Sequence, residues 1–207
     1  LHHPPGHLCE RRRLREPAPR PRPVMSAATL TAFQRAGDDL FRCGLVVPGS
    51  GNLSVWTPAG VLITREGVAL HRLTDADLCL IARNTEPPVA TPSRDTPIHR
   101  AIYVTTGGRA IIHARPPHLI AFSYGKTAFE PPDLDGSHLF AHVPIVSPKR
   151  SVVDLVAQAS ATCPVVIVEG HGTYARGVTL EEAVHLTAML EVSARVAWLT
   201  SESRHVV

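Results

Sequence analysis

Aromatic residues are scarce in this chain. They make up 5% of its 207 positions, with two Trp, three Tyr and five Phe. That is too few for a platform on which single-stranded nucleic acid could stack. Cysteine is equally sparse, with only Cys9, Cys43, Cys79 and Cys163, and no C-x-x-C pair among them. Widely spaced thiols in a chain of this length read as reduced, mostly buried groups of a cytoplasmic protein. There is no apolar run of about 18 residues, so no membrane-spanning helix is expected. The body also lacks a field of one sign. Residues 1–24 hold Arg11, Arg12, Arg13, Arg15, Arg20 and Arg22 against Glu10 and Glu16, a net of +4, which leaves −1 for the rest of a chain whose total is +3. A nearly neutral body carries no electrostatic footprint for nucleic acid.

What is present is a globular composition, 44% apolar and 19% charged, long enough for one domain with a sizeable core. Residues 1–24 stand apart. Six of the 19 prolines lie there and no apolar period is visible. Such a segment buries too little surface to offset its ordering entropy, and it lacks the apolar stretch of a signal peptide. We therefore expect a disordered Arg/Pro-rich leader over 1–24 and a single folded domain over 25–207, with Met25 as a natural start.

From Ser26 onward the text is periodic. Ala28, Phe33, Ala36, Leu40 and Phe41 predict a helix stopped at Gly44. Asn52–Thr57 and Val61–Thr64 flank Pro58-Ala59-Gly60 and predict a hairpin. Further strands are expected at Leu78–Ala82, Arg109–His113, His142–Val146 and Pro164–Glu169. Helices are expected at Thr96–Thr105, Pro116–Ser123, Ser151–Ala161 and Thr179–Thr200, the last opened by a Thr179/Glu182 capping box. Five or six strands with helices before, between and after them predict a three-layer α/β fold.

Three polar clusters sit at strand ends and turns, where sites are usually built. Gly49-Ser50-Gly51-Asn52-Leu53-Ser54 can form an anion-binding nest, though a tight turn would read the same way. Pro92-Ser93-Arg94-Asp95-Thr96-Pro97-Ile98-His99 combines a helix start with Ser93 and Asp95, which also fits a plain capped helix. For His99 a packing role is the simpler reading. His113 and His171 each close an apolar strand, and neutral imidazoles at the ends of central strands can converge on one metal.

In this order and spacing the clusters resemble the class II aldolase/adducin family, over roughly residues 26–200. The strings that carry the resemblance are Ser50-Gly51-Asn52-Leu53-Ser54, Ile63-Thr64-x-x-Gly67, Pro92-Ser93-x-x-x-Pro97-x-His99, the strand into His113, Pro116-Pro117, Gly170-His171-Gly172 and Gly177-x-Thr179-Leu180-Glu181-Glu182-Ala183. The resemblance implies a central, mostly antiparallel sheet between helices and a homo-oligomer, a tetramer in many members. It also implies a small-molecule substrate rather than nucleic acid or membrane. Carried over position by position, Gly51, Asn52, Gly67 and Ser93 would hold a substrate anion, with Arg94 beside them. His113 and His171 would bind a divalent metal, zinc before iron or manganese. Asp95 stands at the place of the family's acid/base glutamate and would serve as a third ligand.

The departures are equally specific. The metal motif His-x-His reads His113-Ala114-Arg115, and a guanidinium cannot give up its proton to bind a metal. Glu66 replaces a serine before Gly67, and Arg94 replaces a second phosphate-binding serine. The resemblance implies a lyase (an aldolase, epimerase, dehydratase or decarboxylase) that stabilises an enediolate on the metal, with Asp95 and Arg115 as catalytic residues. Three alternatives stand beside it. Arg115 could fill the metal's place as a fixed cation. The chain could be a non-catalytic, adducin-like scaffold. Two histidines and one carboxylate could also hold the iron of an oxygenase.

Overall fold

The computed structural model describes residues 26–82, 91–148 and 151–203. The expected leader lies outside the described residues. Helix α1 (Ala27–Arg42) is capped by Ser26, whose side chain accepts from the Thr29 amide. The chain then builds β1 (Asn52–Thr57), β2 (Gly60–Thr64), β3 (Leu78–Ala82), α2 (Thr96–Thr106), β4 (Ala110–Ala114) and α3 (Pro117–Ser123). It continues through β5 (Ala128–Phe129), α4 (Leu134–Leu139), β6 (Val143–Val146), α5 (Val152–Thr162), β7 (Val165–Val168), β8 (Gly172–Gly177) and α6 (Leu180–Ser203).

The strands form one eight-stranded sheet in the order β3-β2-β1-β4-β8-β7-β6-β5. Only β6 and β7 run parallel, so the expected antiparallel character holds. Two strands exceed the expected five or six. β5 is two residues long, too short for a periodic signal. β8 reads Gly-Thr-Tyr-Ala-Arg-Gly and contains no apolar run. It is nevertheless wholly internal, paired with both β4 and β7. Gly172 opens it because a Cβ there would run into the Ala114 carbonyl oxygen of β4.

Alternation along the strands supplies two cores. Ala110, Ile112 and Ala114 of β4, Val165 and Ile167 of β7 and Ala175 of β8 join one cluster with residues of α1, α3 and α6. Ile111 of β4, Val166 and Val168 of β7 and Tyr174 of β8 join the other with Ile98, Ile102 and Tyr103 of α2 and Val156 of α5. The stripe of α1 is rotated from expectation. Phe33, Ala36, Gly37 and Leu40 are buried, Ala28 is exposed, and Phe41 lies at the rim, stacked on His71. No helix among the described residues is long and apolar enough to cross a membrane.

Candidate active site

Three adjacent strands deliver the site in register. Asn52 pairs with His113, and His113 pairs with Tyr174, so one row crosses β1, β4 and β8. Alternation turns this row toward α2, the side on which Ile111 and Tyr174 pack. The tight approach of β1 to β4 needs Gly51. Its φ is +73°, and a Cβ there would lie 2.6 Å from the His113 carbonyl oxygen.

Asp95 immediately precedes α2, yet its carboxylate makes no capping bond to that helix. Instead it accepts from Asn52 Nδ2 at 2.7 Å. Its Oδ2 lies 3.9 Å from His113 Nε2. An aspartate at a helix start that turns away from the helix has been claimed by something else. Burial raises its pKa. The His113 imidazole, the Asn52 amide, His99 and the Tyr174 hydroxyl together outweigh that, and the net shift is downward. Asp95 is therefore an ionised carboxylate at neutral pH.

His113 is buried, and its Nδ1 sits 2.9 Å from the Thr173 carbonyl. A carbonyl only accepts, so Nδ1 carries the proton and Nε2 presents a lone pair. Burial is the main cause that brings the pKa of His113 down to about 4, reinforced by His171 and Arg115 and opposed by Asp95 and the Thr173 carbonyl. The rings of His171 and Tyr174 both stack on it, at 4.9 Å and 4.5 Å between centroids. His171 stands in the turn between β7 and β8, half-buried, with its pKa lowered by burial and by Arg115.

Behind this row, Ser54 Oγ bonds His99 Nδ1 at 2.7 Å and the Tyr103 hydroxyl at 2.8 Å. His99 is wholly buried and held at a pKa of about 3, chiefly by burial. The simpler reading of His99, a packed histidine, is the one the structure shows. Asn52 Oδ1, His99 Nε2, His113 Nε2 and Thr173 Oγ1 are all buried without a hydrogen-bond partner. Buried polar atoms are normally paired. Asn52 Oδ1 and His113 Nε2, adjacent in the row, mark a place prepared for a ligand, whereas Thr173 shares the opposite face of β8 with Ala175.

The remaining expected residues are placed unevenly. Ser93 is buried beside Asp95, and its hydroxyl accepts from the Asp95 amide at 3.2 Å. Arg94 turns outward. Its amide donates to Glu66 at 2.8 Å and its Nε lies 3.4 Å from the same carboxylate. The negative charge of Glu66, next to Gly67, is thus met by the positive charge of Arg94. Arg115 follows β4, donates its amide to the Leu45 carbonyl at 2.7 Å, and exposes its side chain. It forms no ion pair among the described residues. Its charge reaches both His113 and His171.

His113 has the features of a metal ligand, a fixed tautomer and a buried Nε2 without a hydrogen-bond partner, 3.9 Å from the Asp95 carboxylate, while the positive charge of the exposed Arg115 reaches both His113 and His171. Among the described residues no three His, Cys, Asp or Glu side chains form a group that could hold a metal ion. The expected set of His113, His171 and Asp95 is thus not assembled as a metal centre. The iron-oxygenase reading needs the same three ligands and meets the same geometry.

Tyr174 and Tyr103 escaped the sequence reading as site residues, and Ser54, expected in an anion-binding turn, instead holds His99 and Tyr103. Tyr174 had one signal available: a Thr-Tyr pair between two glycines just after His171, a β-favouring step that side-chain alternation would turn toward a site.

An antiparallel α/β sheet with a polar row at one end of β1, β4 and β8 defines a class of protein. Residues 31–198 match the family described as the class II aldolase and adducin N-terminal domain. The chain belongs to that family and is an enzyme of its lyase class. It is similar to the L-fuculose-1-phosphate aldolase of Thermus thermophilus, with 33% identity, a TM-score of 0.83, and coverage of 88% of this chain and 98% of that one. It is also similar to a methylthioribulose-1-phosphate dehydratase of Bradyrhizobium, 28% identical over 80% of this chain and 90% of that protein. A bifunctional methylthioribose-1-phosphate isomerase/methylthioribulose-1-phosphate dehydratase of Nocardia farcinica matches at 32% over 89 residues. That match spans 41% of this chain and only 16% of the longer protein.

Proposed function

We propose that the chain is a lyase acting on a small, anionic, hydroxylated carbonyl compound, with aldol cleavage or loss of water as its reaction. One observation carries the reading: a half-buried, ionised carboxylate, Asp95, held by the Asn52 amide 3.9 Å from the open Nε2 of His113. Asp95 is the base. In aldol cleavage it takes the proton of the β-hydroxyl, the Cα–Cβ bond breaks, and its electron pair moves into an enolate. In dehydration it takes the Cα proton to leave an enolate, then returns that proton to the β-hydroxyl, which departs as water as the enolate's electron pair forms the Cα–Cβ double bond. Both routes place negative charge on the carbonyl oxygen, and Arg115 supplies the fixed positive charge toward it. Gly51, Asn52, Gly67 and Ser93 line the side on which a phosphate or carboxylate of the substrate would rest. Arg94 is available to it once released from Glu66.

The relatives are named for sugar phosphates, which supports a ketose 1-phosphate as the first compound to try. Assembly into a homo-oligomer, a tetramer in this reading, is supported by the exposed Val192, Trp198 and Leu199 along α6. A cytoplasmic location is supported by Cys43, Cys79 and Cys163, none of which is in a disulfide among the described residues. The test follows consumption of L-fuculose 1-phosphate and of methylthioribulose 1-phosphate by NMR. At least one should be turned over by the wild type, and Asp95→Asn should lower that rate by about 100-fold or more. If neither compound is consumed, the ketose 1-phosphate reading fails, and if the variant matches the wild type, Asp95 is not the base.

A further inference from the structure

We infer that His99 is the positioning residue of this site: by bonding Ser54 it fixes the register of α2 along β1, and that register holds the Asp95 carboxylate on the Asn52 amide beside His113. The inference rests on the reading of Asp95 as the base. Asp95, His99 and Tyr103 follow one another at steps of four residues, so they share one stripe of α2. That stripe runs along β1. Asn52 Nδ2 donates to Asp95 at 2.7 Å, and two residues on, Ser54 Oγ bonds His99 Nδ1 at 2.7 Å and the Tyr103 hydroxyl at 2.8 Å. The pitches agree: two strand residues advance by about 6.8 Å and four helical residues by about 6 Å. Two rungs therefore tie the first turn of α2 to alternate residues of one strand.

Apolar packing alone would not set this register. Ile98 and Ile102 press α2 into the second core, but burial is non-directional and tolerates sliding. Hydrogen bonds do not, since they weaken steeply away from their best geometry. The stripe is also sealed. Ser54 and His99 are at 0% exposure and Tyr103 at 5%, so a broken rung leaves buried partners unpaired, which is costly. A slide of α2 by one residue would carry Asp95 about 1.5 Å along the strand, and a misplacement of about 1 Å can cost about 100-fold in rate. His99 lies behind the polar row and acts through Asp95, whose carbonyl accepts from the His99 amide at 3.0 Å.

The test uses the full chain, labelled with 15N at the side-chain amide of asparagine. The sequence has two asparagines, Asn52 and Asn84, so two amide pairs are expected, and Asn84→Ser assigns them. Asp95→Ala marks where the Asn52 pair resonates without its carboxylate. Ser54→Ala should move that pair at least halfway to this mark, and if that variant does not fold, His99→Leu removes the same rung from the helix side. Tyr103→Phe keeps the Ser54–His99 rung and should leave the pair in place. An unmoved Asn52 pair overturns the proposal whatever the activity, and so does an equal shift in Tyr103→Phe. The kinetic arm takes whichever ketose phosphate the wild type consumes. Ser54→Ala should lower kcat by about 10- to 100-fold, with KM changed by less than about threefold. His99→Asn, which keeps a polar atom at the place of Nδ1, should retain kcat to within about threefold of the wild type, and His99→Leu should not. An unchanged kcat in Ser54→Ala overturns the proposal, as does a loss confined to KM, and so do equal losses in the two His99 variants. If the wild type consumes neither compound, the ketose 1-phosphate reading fails, while the NMR arm still decides whether His99 holds Asp95 in place.

Discussion

Toward α6, strand β4 presents Ala110, Ile112 and Ala114, all at 0–1% exposure and packed among aliphatic side chains. Toward α2, the same strand presents Ile111 and then His113, with Asn52 and Tyr174 alongside. One stretch of five residues thus feeds an unbroken apolar core on one face and a row of polar groups on the other. The two faces store stability differently. The α6 face relies chiefly on apolar burial, with the Glu191 carboxylate of α6 held 2.6 Å from His118 as its one ion pair among the described residues. The α2 face is apolar at α5 but polar toward Asp95, and there stability depends on histidines kept neutral and a carboxylate kept charged.

The strongest way to probe this contrast is to open a cavity on the apolar face. Ile112→Ala should cost about 2–5 kcal/mol, the range for truncating a fully buried aliphatic side chain. Urea denaturation measures the loss, and activity per folded molecule should be unchanged. A fall in activity of the folded fraction would show that the two faces are not independent.

Acid should act on the other face. His99 and His113 have folded pKa values of about 3 and about 4 against an ordinary 6.5. Both lie below the unfolded value, so the unfolded chain takes up protons that the folded chain refuses. Their contribution is complete above pH 6.5 and declines as pH falls toward 4, by up to about 1.4 kcal/mol per pH unit for each histidine. Urea midpoints at pH 7, 6 and 5 should fall in that order. The slope should be shallower in a His99→Gln variant that retains the bond to Ser54. Equal slopes would remove His99 from the account.

Arg115→His sharpens the contrast within the site. It removes a cation that would repel a divalent ion and adds a third imidazole. Zinc affinity measured by calorimetry should rise at least about tenfold, since unit charges 4 Å apart at an effective dielectric of about 20 interact by about 4 kcal/mol. Equal affinity in both proteins would mean that Arg115 is not what keeps the metal centre unassembled.

The smallest effect is expected at the Glu66–Arg94 pair. Its guanidinium is 87% exposed, and exposed pairs contribute little. Arg94→Ala should shift the urea midpoint by less than that method resolves. A clear loss of stability would mean that the pair braces the turn before α2.

Much of this was legible in order along the chain. The helix starts, the hairpin at Pro58-Ala59-Gly60 and the apolar strands carry local periods, and they lie within one or two residues of expectation. Asp95, His113, His171, Asn52 and Ser93 stood out because their types and spacing are unusual at turns. β8 did not, since two glycines and an arginine in six residues hide a strand whose burial comes from its neighbours. With β8 hidden, Tyr174 was hidden too. Arg94 was visible as a cation next to the site, but its turn outward to Glu66 depends on a residue 28 positions away, brought near by the bridge between Arg65 and Pro92.

Most of the elements, the family resemblance and the identities of the groups able to do chemistry are readable along the chain, because periods, caps and motif spacings are local properties. How those groups are shared out depends on packing between distant segments. Register across β1, β4 and β8 set Asn52, His113 and Tyr174 side by side. Asp95 gave up its helix cap for the distant Asn52 amide, and burial, not sequence, left His113 neutral with an open lone pair. These are properties of distances between strands far apart in the chain, and no local pattern encodes them.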